Sequence, residues 1–447
     1  MRRGLLSALL VIVVIVAVVV AALVFNRNKN QTGLPSLPRA TATGPVTVKI
    51  DHSTKKLSGA QAIADNRIVG PAHADGATLV DSKGHSLRLT GVNYLPLKNT
   101  NDKPFDAGSP QDYDNIASMG FNMVRLGITW GHLEPNPPTR ASDGTIEHHY
   151  DPQYLQDMDT IVKGLTDRGV AVIISLQQFG WFQFMPTWLY RSQLSPDQAR
   201  CDFFSNRSDS PVQFPPWDGT QSLWTTIAKR YAGNPQVIGV DIFNEPNYSP
   251  QCTTASLSDF YTKMGTAIRA VAPNWLLVME EFGPGPADHG VFAFDKPPSF
   301  KNIVYSFHVY KPTWQYFKPA ISAYVGHGKP WHIPMWMGEF NVFNANSISP
   351  GIPFKDQNWK GDAKKLFSYL RGNGVGWAYF AYSGLDTLFL QDGAPDIPLV
   401  KTLQTGFEHA QPPGKYTYYG IPNPYGTCKK TECNTPSGAG GGGGGFG

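Results

Sequence analysis

VIGVDIFNEP, residues 237–246, is a run of apolar and β-branched residues that turns polar at Asn244-Glu245-Pro246. This is the pattern of a strand buried on both faces whose C-terminal end reaches the edge of a sheet. Seven similar runs flank it. LRLTGVNY from Leu87, NMVRLGIT from Asn122 and VAVIISL from Val170 precede it; WLLVMEEF from Trp275, IVYSFHVY from Ile303, PMWMGEF from Pro334 and VGWAYFAY from Val375 follow. Amphipathic stretches separate them at Gln111 to Met119, Gln153 to Arg168, Ser222 to Tyr231, Ser256 to Ala270 and Trp359 to Arg371, with less distinct helices after the fifth and sixth runs. Eight strands alternating with helices predict an α/β fold, a (β/α)8 (TIM) barrel. LVDSKGHSLRL, from Leu79, reads as a hairpin able to plug its lower end. An open doubly wound sheet normally begins with a Gly-rich turn, and GVNYLPL after the first run is not G-x-G-x-x-G.

The ends of the chain read differently. Residues 4 to 25, GLLSALLVIVVIVAVVVAALVF, are an unbroken apolar run long enough to cross a bilayer, and longer than the core of an ordinary secretory signal. Residues 1–29 are therefore expected to be a transmembrane anchor or signal. Residues 30–76, rich in Asn, Thr, Pro, Ala and Gly, are expected to be a flexible linker, 77–425 the barrel, and 426–447 a disordered Gly-rich tail. Of 38 Lys and Arg against 34 Asp and Glu, the surplus of four is Arg2, Arg3, Arg27 and Lys29, beside the apolar run. A body so neutral argues against nucleic acid as a partner and suits an uncharged substrate. The four cysteines, Cys201, Cys252, Cys428 and Cys433, are an even number in a chain with an export-type N-terminus, so disulfides are expected. The simplest of three pairings joins Cys201 to Cys252 and Cys428 to Cys433. No zinc-type pair of cysteines and no H-E-x-x-H is present, and Glu147-His148-His149 is too isolated to make a metal site.

In a barrel of this kind the chemistry lies where strands end. The fourth run ends in Asn244-Glu245-Pro246 and the seventh in Gly338-Glu339-Phe340. Two carboxylates facing each other across a barrel mouth are the equipment of glycoside hydrolysis, one as proton donor and one as nucleophile. The second run offers Arg125, the sixth His308 and Tyr310 on one face, and the eighth Trp377. Singly, each has an ordinary structural explanation: an ion-paired Glu or Arg, a core histidine, a core tryptophan. Their arrival together at the ends of five strands favours a site.

With these residues in view the chain resembles glycoside hydrolase family 5, the cellulase family within the clan A barrel glycosidases, over about residues 77 to 410. The resemblance implies that Glu245 of FNEP is the acid/base and Glu339 of MGEF the nucleophile of a retaining β-glycosidase without metal or cofactor. By the same resemblance Asn244 would bind the sugar 2-hydroxyl, His308 and Tyr310 of FHVY would line the cleavage point, Arg125 of VRLGITW would pair with the nucleophile, and Trp377 would stack under the sugar. WGHLEP, residues 130–135, also looks like this family's loop after the second strand. One departure stands out. Where many members end the third strand with a sugar-facing His, this chain reads ISLQQFGW, with Gln177 or Gln178 in that place, so specificity there need not follow the family.

Trp181, Phe182, Phe184 and Trp188 after the third strand, and Trp314 and Tyr316 after the sixth, are candidates for stacking on sugar rings or for packing the loops. Glu280 and Glu281, ending the fifth, read as rim or subsite residues. A β-glucan or β-mannan is the expected substrate. The alternative is a glycolipid, since WGHLEPNPP followed by YDPQYL looks somewhat like the endoglycoceramidase branch, although the His-Gln-Asp expected after the third strand is absent. A transglycosylase would use the same pair of glutamates, and a membrane-tethered carbohydrate-binding barrel without activity would be expected to lack one. The protein is expected to act as a monomer, outside the cytoplasm, anchored by its N-terminus or secreted if that segment is cleaved.

Overall fold

The computed structural model describes residues 45–48, 67–96, 108–178, 184–189, 195–207, 214–246, 254–281, 292–297, 299–311, 313–341, 358–383, 387–390, 393–408 and 416–421. Eight parallel strands close into a barrel: β1 (Thr90–Tyr94), β2 (Met123–Ile128), β3 (Ala171–Leu176), β4 (Val237–Asp241), β5 (Leu276–Glu280), β6 (Ile303–His308), β7 (Met335–Phe340) and β8 (Val375–Tyr379). Each pairs with its neighbours in sequence, and β8 closes on β1 with Trp377 opposite Thr90. The helices are α1 (Pro110–Met119), α2 (Pro152–Thr166), α3 (Pro216–Tyr231), α4 (Thr254–Val271), α5 (Trp314–Gly328), α6 (Trp359–Gly372) and α7 (Ile397–Gln404). The barrel expected from the alternation of runs is thus present, and all eight runs lie on its strands.

Helix boundaries follow local chemistry. α1 starts at Ser109, whose hydroxyl accepts from the Asp112 N–H while Asp112 accepts from the Ser109 N–H, and Pro110 occupies the first turn, where its missing N–H costs nothing. α2 is capped by Asp151, which accepts from the Tyr154 N–H at 2.7 Å.

The strands alternate in burial direction. Met123, Ala171, Ile173, Ile238, Leu276, Val278, Val304, Trp336 and Ala378 fill the barrel interior, and Ile68, Ala72, Leu79 and Leu89 close it from below. Those last residues belong to or border a small antiparallel sheet, His73–Asp75, Thr78–Val80 and Ser86–Leu87, so the hairpin does serve as a plug. Outward residues such as Val124, Leu126, Val172, Ile174 and Leu277 pack under the helices in a separate, larger core.

Four expectations need correction or restriction. The linker assigned to 30–76 contains a strand, Pro45–Val48, paired antiparallel with Tyr416–Tyr419, and the body begins by residue 67 rather than 77 because Ile68 and Ala72 are buried in the plug. Trp314 and Tyr316 begin α5; Trp314 packs against Tyr369 while Tyr316 is exposed. Among the described residues no helix is long and apolar enough to cross a membrane; the apolar run 4–25 and the tail 426–447 lie outside them. Cys201, on the short helix Pro196–Phe204, is disulfide-bonded; Cys252, Cys428 and Cys433 lie outside the described residues.

Candidate active site

Arg125 projects from β2 into the barrel and is fully buried. Its guanidinium meets Asp241 from β4 (Nε to Oδ2, 2.7 Å), Glu280 from β5 (Nη2 to Oε1, 2.6 Å), Glu339 from β7 (Nη1 to Oε1, 2.5 Å), Asn244 (Nη2 to Oδ1, 2.7 Å) and Asn93 from β1 (Nη1 to Oδ1, 2.9 Å). Burial alone would disfavour its charge, but Asp241, Glu280 and Glu339 outweigh that and keep it protonated.

Glu339 reaches the mouth through an irregularity in the sheet. Trp336 faces inward and Met337 outward, so plain alternation would turn residue 339 outward; the register slips between Met337 and Phe340 and again between Phe307 and His308, which brings His308 opposite Glu339. Gly338 permits this approach, since a Cβ there would lie 2.9 Å from Ser306 Oγ and 3.0 Å from His308 Nε2. Tyr310 completes the setting by donating its hydroxyl to Glu339 Oε2 at 2.7 Å.

Glu245, beyond the end of β4, is the more open of the two expected catalytic carboxylates, 19% exposed against 6% for Glu339. It has φ of 41°, a left-handed conformation uncommon for a residue with a Cβ. Its N–H donates to Glu280 Oε2 at 2.8 Å, and its carbonyl accepts from Gln178 Nε2, which also donates to the Asn244 carbonyl at 2.7 Å. His308 Nδ1 lies 2.9 Å from Glu245 Oε1 and 3.7 Å from Glu339 Oε2, with Nε2 3.1 Å from Glu280 Oε1.

The ionisation pattern follows from this crowding. Burial raises the Glu245 pKa, and the negative charge of Glu339 raises it further against the hydrogen bond from His308. Burial would strip His308 of its proton, but Glu280 and Glu339 hold its pKa well above the ordinary histidine range. Burial also opposes charge on Glu280, yet His308 and Arg125 bring its pKa down to about 2. Asp241 goes the other way, raised by burial and by Glu280. Its Oδ1 has no partner among the described residues, and a proton there, directed at Glu280, satisfies the oxygen and relieves the like charge. Glu245, His308 and Glu339 bring ligand-type atoms within 4.8 Å of one another. The arrangement suits proton transfer beside a fixed carboxylate.

Of the residues expected here, Glu245, Glu339, Arg125, Asn244, His308 and Tyr310 converge. Gln177 is buried, its amide 3.4 Å from both Ser175 Oγ and Asn244 Oδ1. Trp181 lies outside the described residues. Trp377 does not face the mouth. It shares the outward face of β8 with Val375 and Tyr379, is fully buried, stacks on Phe407 at 5.8 Å, and donates its indole N–H to the Gly406 carbonyl. The aromatic that does approach the site is Phe380, half-buried and edge-on to Tyr310 with ring centroids 6.4 Å apart. Glu280 and Glu281 are not rim residues: both are buried, and Glu281 accepts from Tyr305 at 2.7 Å and from the Ala293 N–H. WGHLEP is a structural clamp, with buried Glu134 accepting from Trp130 Nε1 at 2.8 Å and contacting His148 at 2.7 Å. Asn93 and Asp241 were missed as parts of the cluster, while Gln178, expected only as an alternative to Gln177 at a sugar-facing place, turns its amide to the Asn244 and Glu245 carbonyls. The signal was present for Asn93 and Asp241, polar residues set within apolar runs where burial demands partners.

Comparison with known proteins agrees with this geometry. The family model described as Cellulase (glycosyl hydrolase family 5) matches residues 80–386. An endoglucanase of Paenibacillus polymyxa is 24% identical over 225 residues, 48% of this chain and 50% of that protein. Endoglycoceramidase I of Rhodococcus hoagii is 30% identical over 195 residues, 39% of this chain and 36% of that protein. The chain thus spans half or less of the length of these two relatives. The solved structure of endo-glycoceramidase II from Rhodococcus sp. in a cellobiose-like imidazole complex superposes with a TM-score of 0.59 at 22% identity, covering 73% of this chain and 80% of that one. That likeness concerns the fold.

Proposed function

The chain belongs to glycosyl hydrolase family 5, and from that membership we propose that it is a retaining β-glycosidase with Glu339 as nucleophile and Glu245 as acid/base. One observation carries the reading: the two residues, from opposite sides of the barrel, bring carboxylate oxygens within 4.8 Å of each other. Retaining enzymes hold the pair about 5–5.5 Å apart, whereas inverting enzymes leave room for a water between them.

In the first step Glu339 attacks the anomeric carbon, the bond to the leaving oxygen breaks, and Glu245 gives that oxygen its proton. The sugar is left as an ester on Glu339. In the second step Glu245, now a carboxylate, takes a proton from water, whose oxygen displaces Glu339 and restores the starting configuration. Arg125 and Tyr310 hold the two oxygens of Glu339 in place throughout the approach.

The substrate we propose is a β-linked glucan or mannan. A second reading, cleavage of a glycolipid, is supported by the endoglycoceramidase among the relatives and by the apolar run 4–25, which would keep the barrel beside a lipid surface. We further propose that this run anchors the chain and that the barrel lies outside the cytoplasm, a placement supported by the disulfide at Cys201.

The test is hydrolysis by the full-length chain of aryl β-glycosides, β-glucans, β-mannans and glycosphingolipids, alongside Glu339→Gln. Activity on one class, lost in the variant and giving the β-anomer first, supports the proposal. Sugar binding without turnover would instead favour a carbohydrate-binding barrel.

A further inference from the structure

Glu280 belongs to none of the motifs matched at the strand ends, and at 1% exposed it does not touch a sugar. It nevertheless meets the acid/base twice. Oε2 accepts from the main-chain N–H of Glu245 at 2.8 Å, and Oε1 lies 3.1 Å from His308 Nε2, whose other nitrogen is 2.9 Å from Glu245 Oε1. The same Oε1 accepts from Arg125 at 2.6 Å, and Arg125 also holds Glu339. We propose that Glu280 is a positioning residue that sets the attitude of Glu245, its carboxylate fastened to the Glu245 main chain on one side and to Arg125 on the other, with His308 alongside. This rests on the reading of Glu245 as the acid/base.

The left-handed backbone at Glu245 gives such a strut a physical purpose. A conformation that a residue with a Cβ seldom adopts persists only where its neighbours over-determine it. Here Glu280 takes the N–H and Gln178 supplies a donor to the carbonyl. The groups around His308 are Glu245 from the end of β4, Glu280 from β5 and Glu339 from β7. Those around Glu280 are Arg125 from β2, Asp241 from β4, His308 from β6, and the Tyr261 hydroxyl from α4, which contacts its main chain at 3.2 Å. Glu280 and Glu339 raise the His308 pKa well above its ordinary range, and its Nδ1 lies 2.9 Å from Glu245 Oε1. Glutamine at 280 cannot replace this. The Glu245 N–H donates to one oxygen and the Arg125 guanidinium to the other, so one of these donors would face the amide NH2, and the anion beside His308 would be gone.

The experiment compares wild type with Glu280→Gln in kinetics on an aryl β-glycoside and in NMR titration of the His308 ring, assigned by its absence in His308→Gln. Losing a hydrogen-bonded charge predicts kcat lower by about 10- to 100-fold with KM within about twofold. His308 should remain protonated across the neutral range in wild type and titrate within it in the variant. Unchanged kcat and titration in Glu280→Gln would overturn the proposal. So would a wild-type His308 that titrates like a free histidine, a result that stands even if the variant does not fold. The NMR arm needs no substrate: wild type without turnover would defeat the proposed activity, while the His308 titration would still decide the role of Glu280.

Discussion

The Tyr310 hydroxyl, just past the end of β6, and Glu339 Oε2 on β7 lie 2.7 Å apart, and with Arg125 on Oε1 at 2.5 Å both oxygens of this carboxylate are engaged. A carboxylate gripped at both ends cannot rotate away from its target. Tyr310→Phe should lower kcat by about tenfold with a smaller effect on KM, since one hydrogen bond to a charged group is worth about 1.5–3 kcal/mol. Steady-state kinetics on an aryl β-glycoside check this.

The pH dependence has a definite sign. Glu245 must carry a proton to act as the acid, and burial followed by the charge of Glu339 raises its pKa. Activity should therefore persist above the ordinary carboxylate range and fall as pH rises through the elevated pKa. Replacing Glu339 with Gln removes the like charge, so the Glu245 pKa should drop in that variant. Carboxyl NMR titration of wild type and variant would show the difference, and equal values would contradict it.

Trp377 and Phe380 should behave oppositely. Trp377 is packed among Phe121, Phe340, Phe367 and Phe407, so Trp377→Ala should cost about 3–5 kcal/mol of stability. Phe380, beside Tyr310, is half-buried; Phe380→Ala should raise KM several-fold, with a smaller loss of stability. Denaturant unfolding and kinetics on the two variants separate the effects.

Gly338→Ala tests the approach of β7 to β6. The added methyl would press on Ser306 Oγ and His308 Nε2 at about 3 Å, and crowding of this kind costs about 1–3 kcal/mol. Displacement of His308 should lower kcat at least about tenfold while the protein stays folded, measured by kinetics beside a thermal melt.

The barrel was legible because every strand is an apolar run, and a sheet covered on both faces has no other sequence pattern available. Glu245 and Glu339 were legible because strand ends are where polarity returns. The place of Trp377 was taken from the family resemblance, whereas the two-residue period counted from Ala378, which faces the barrel interior, puts Phe380 on the inward face. The contacts of Glu280 and Gln178 were hidden for a different reason: each acts on the main chain of a residue distant in sequence, and no local pattern records that. The sheet irregularities that turn Glu339 inward were equally unreadable, because Met335 to Phe340 shows nothing but apolar residues around a glycine and a glutamate.

Pairing of Pro45–Val48 with Tyr416–Tyr419 has a consequence for any shortened version of the protein. The two segments come from opposite ends of the body, and the later one is also fixed to α1, where Asn115 exchanges hydrogen bonds with the main chain of Tyr419. Trimming the chain to a start near residue 77, where composition alone would draw the boundary, strips 416–419 of its partner and leaves a raw strand edge. Such edges recruit other chains. A trimmed barrel would thus be prone to aggregate, and preparations beginning before residue 45 should stay dispersed where those beginning after residue 48 do not.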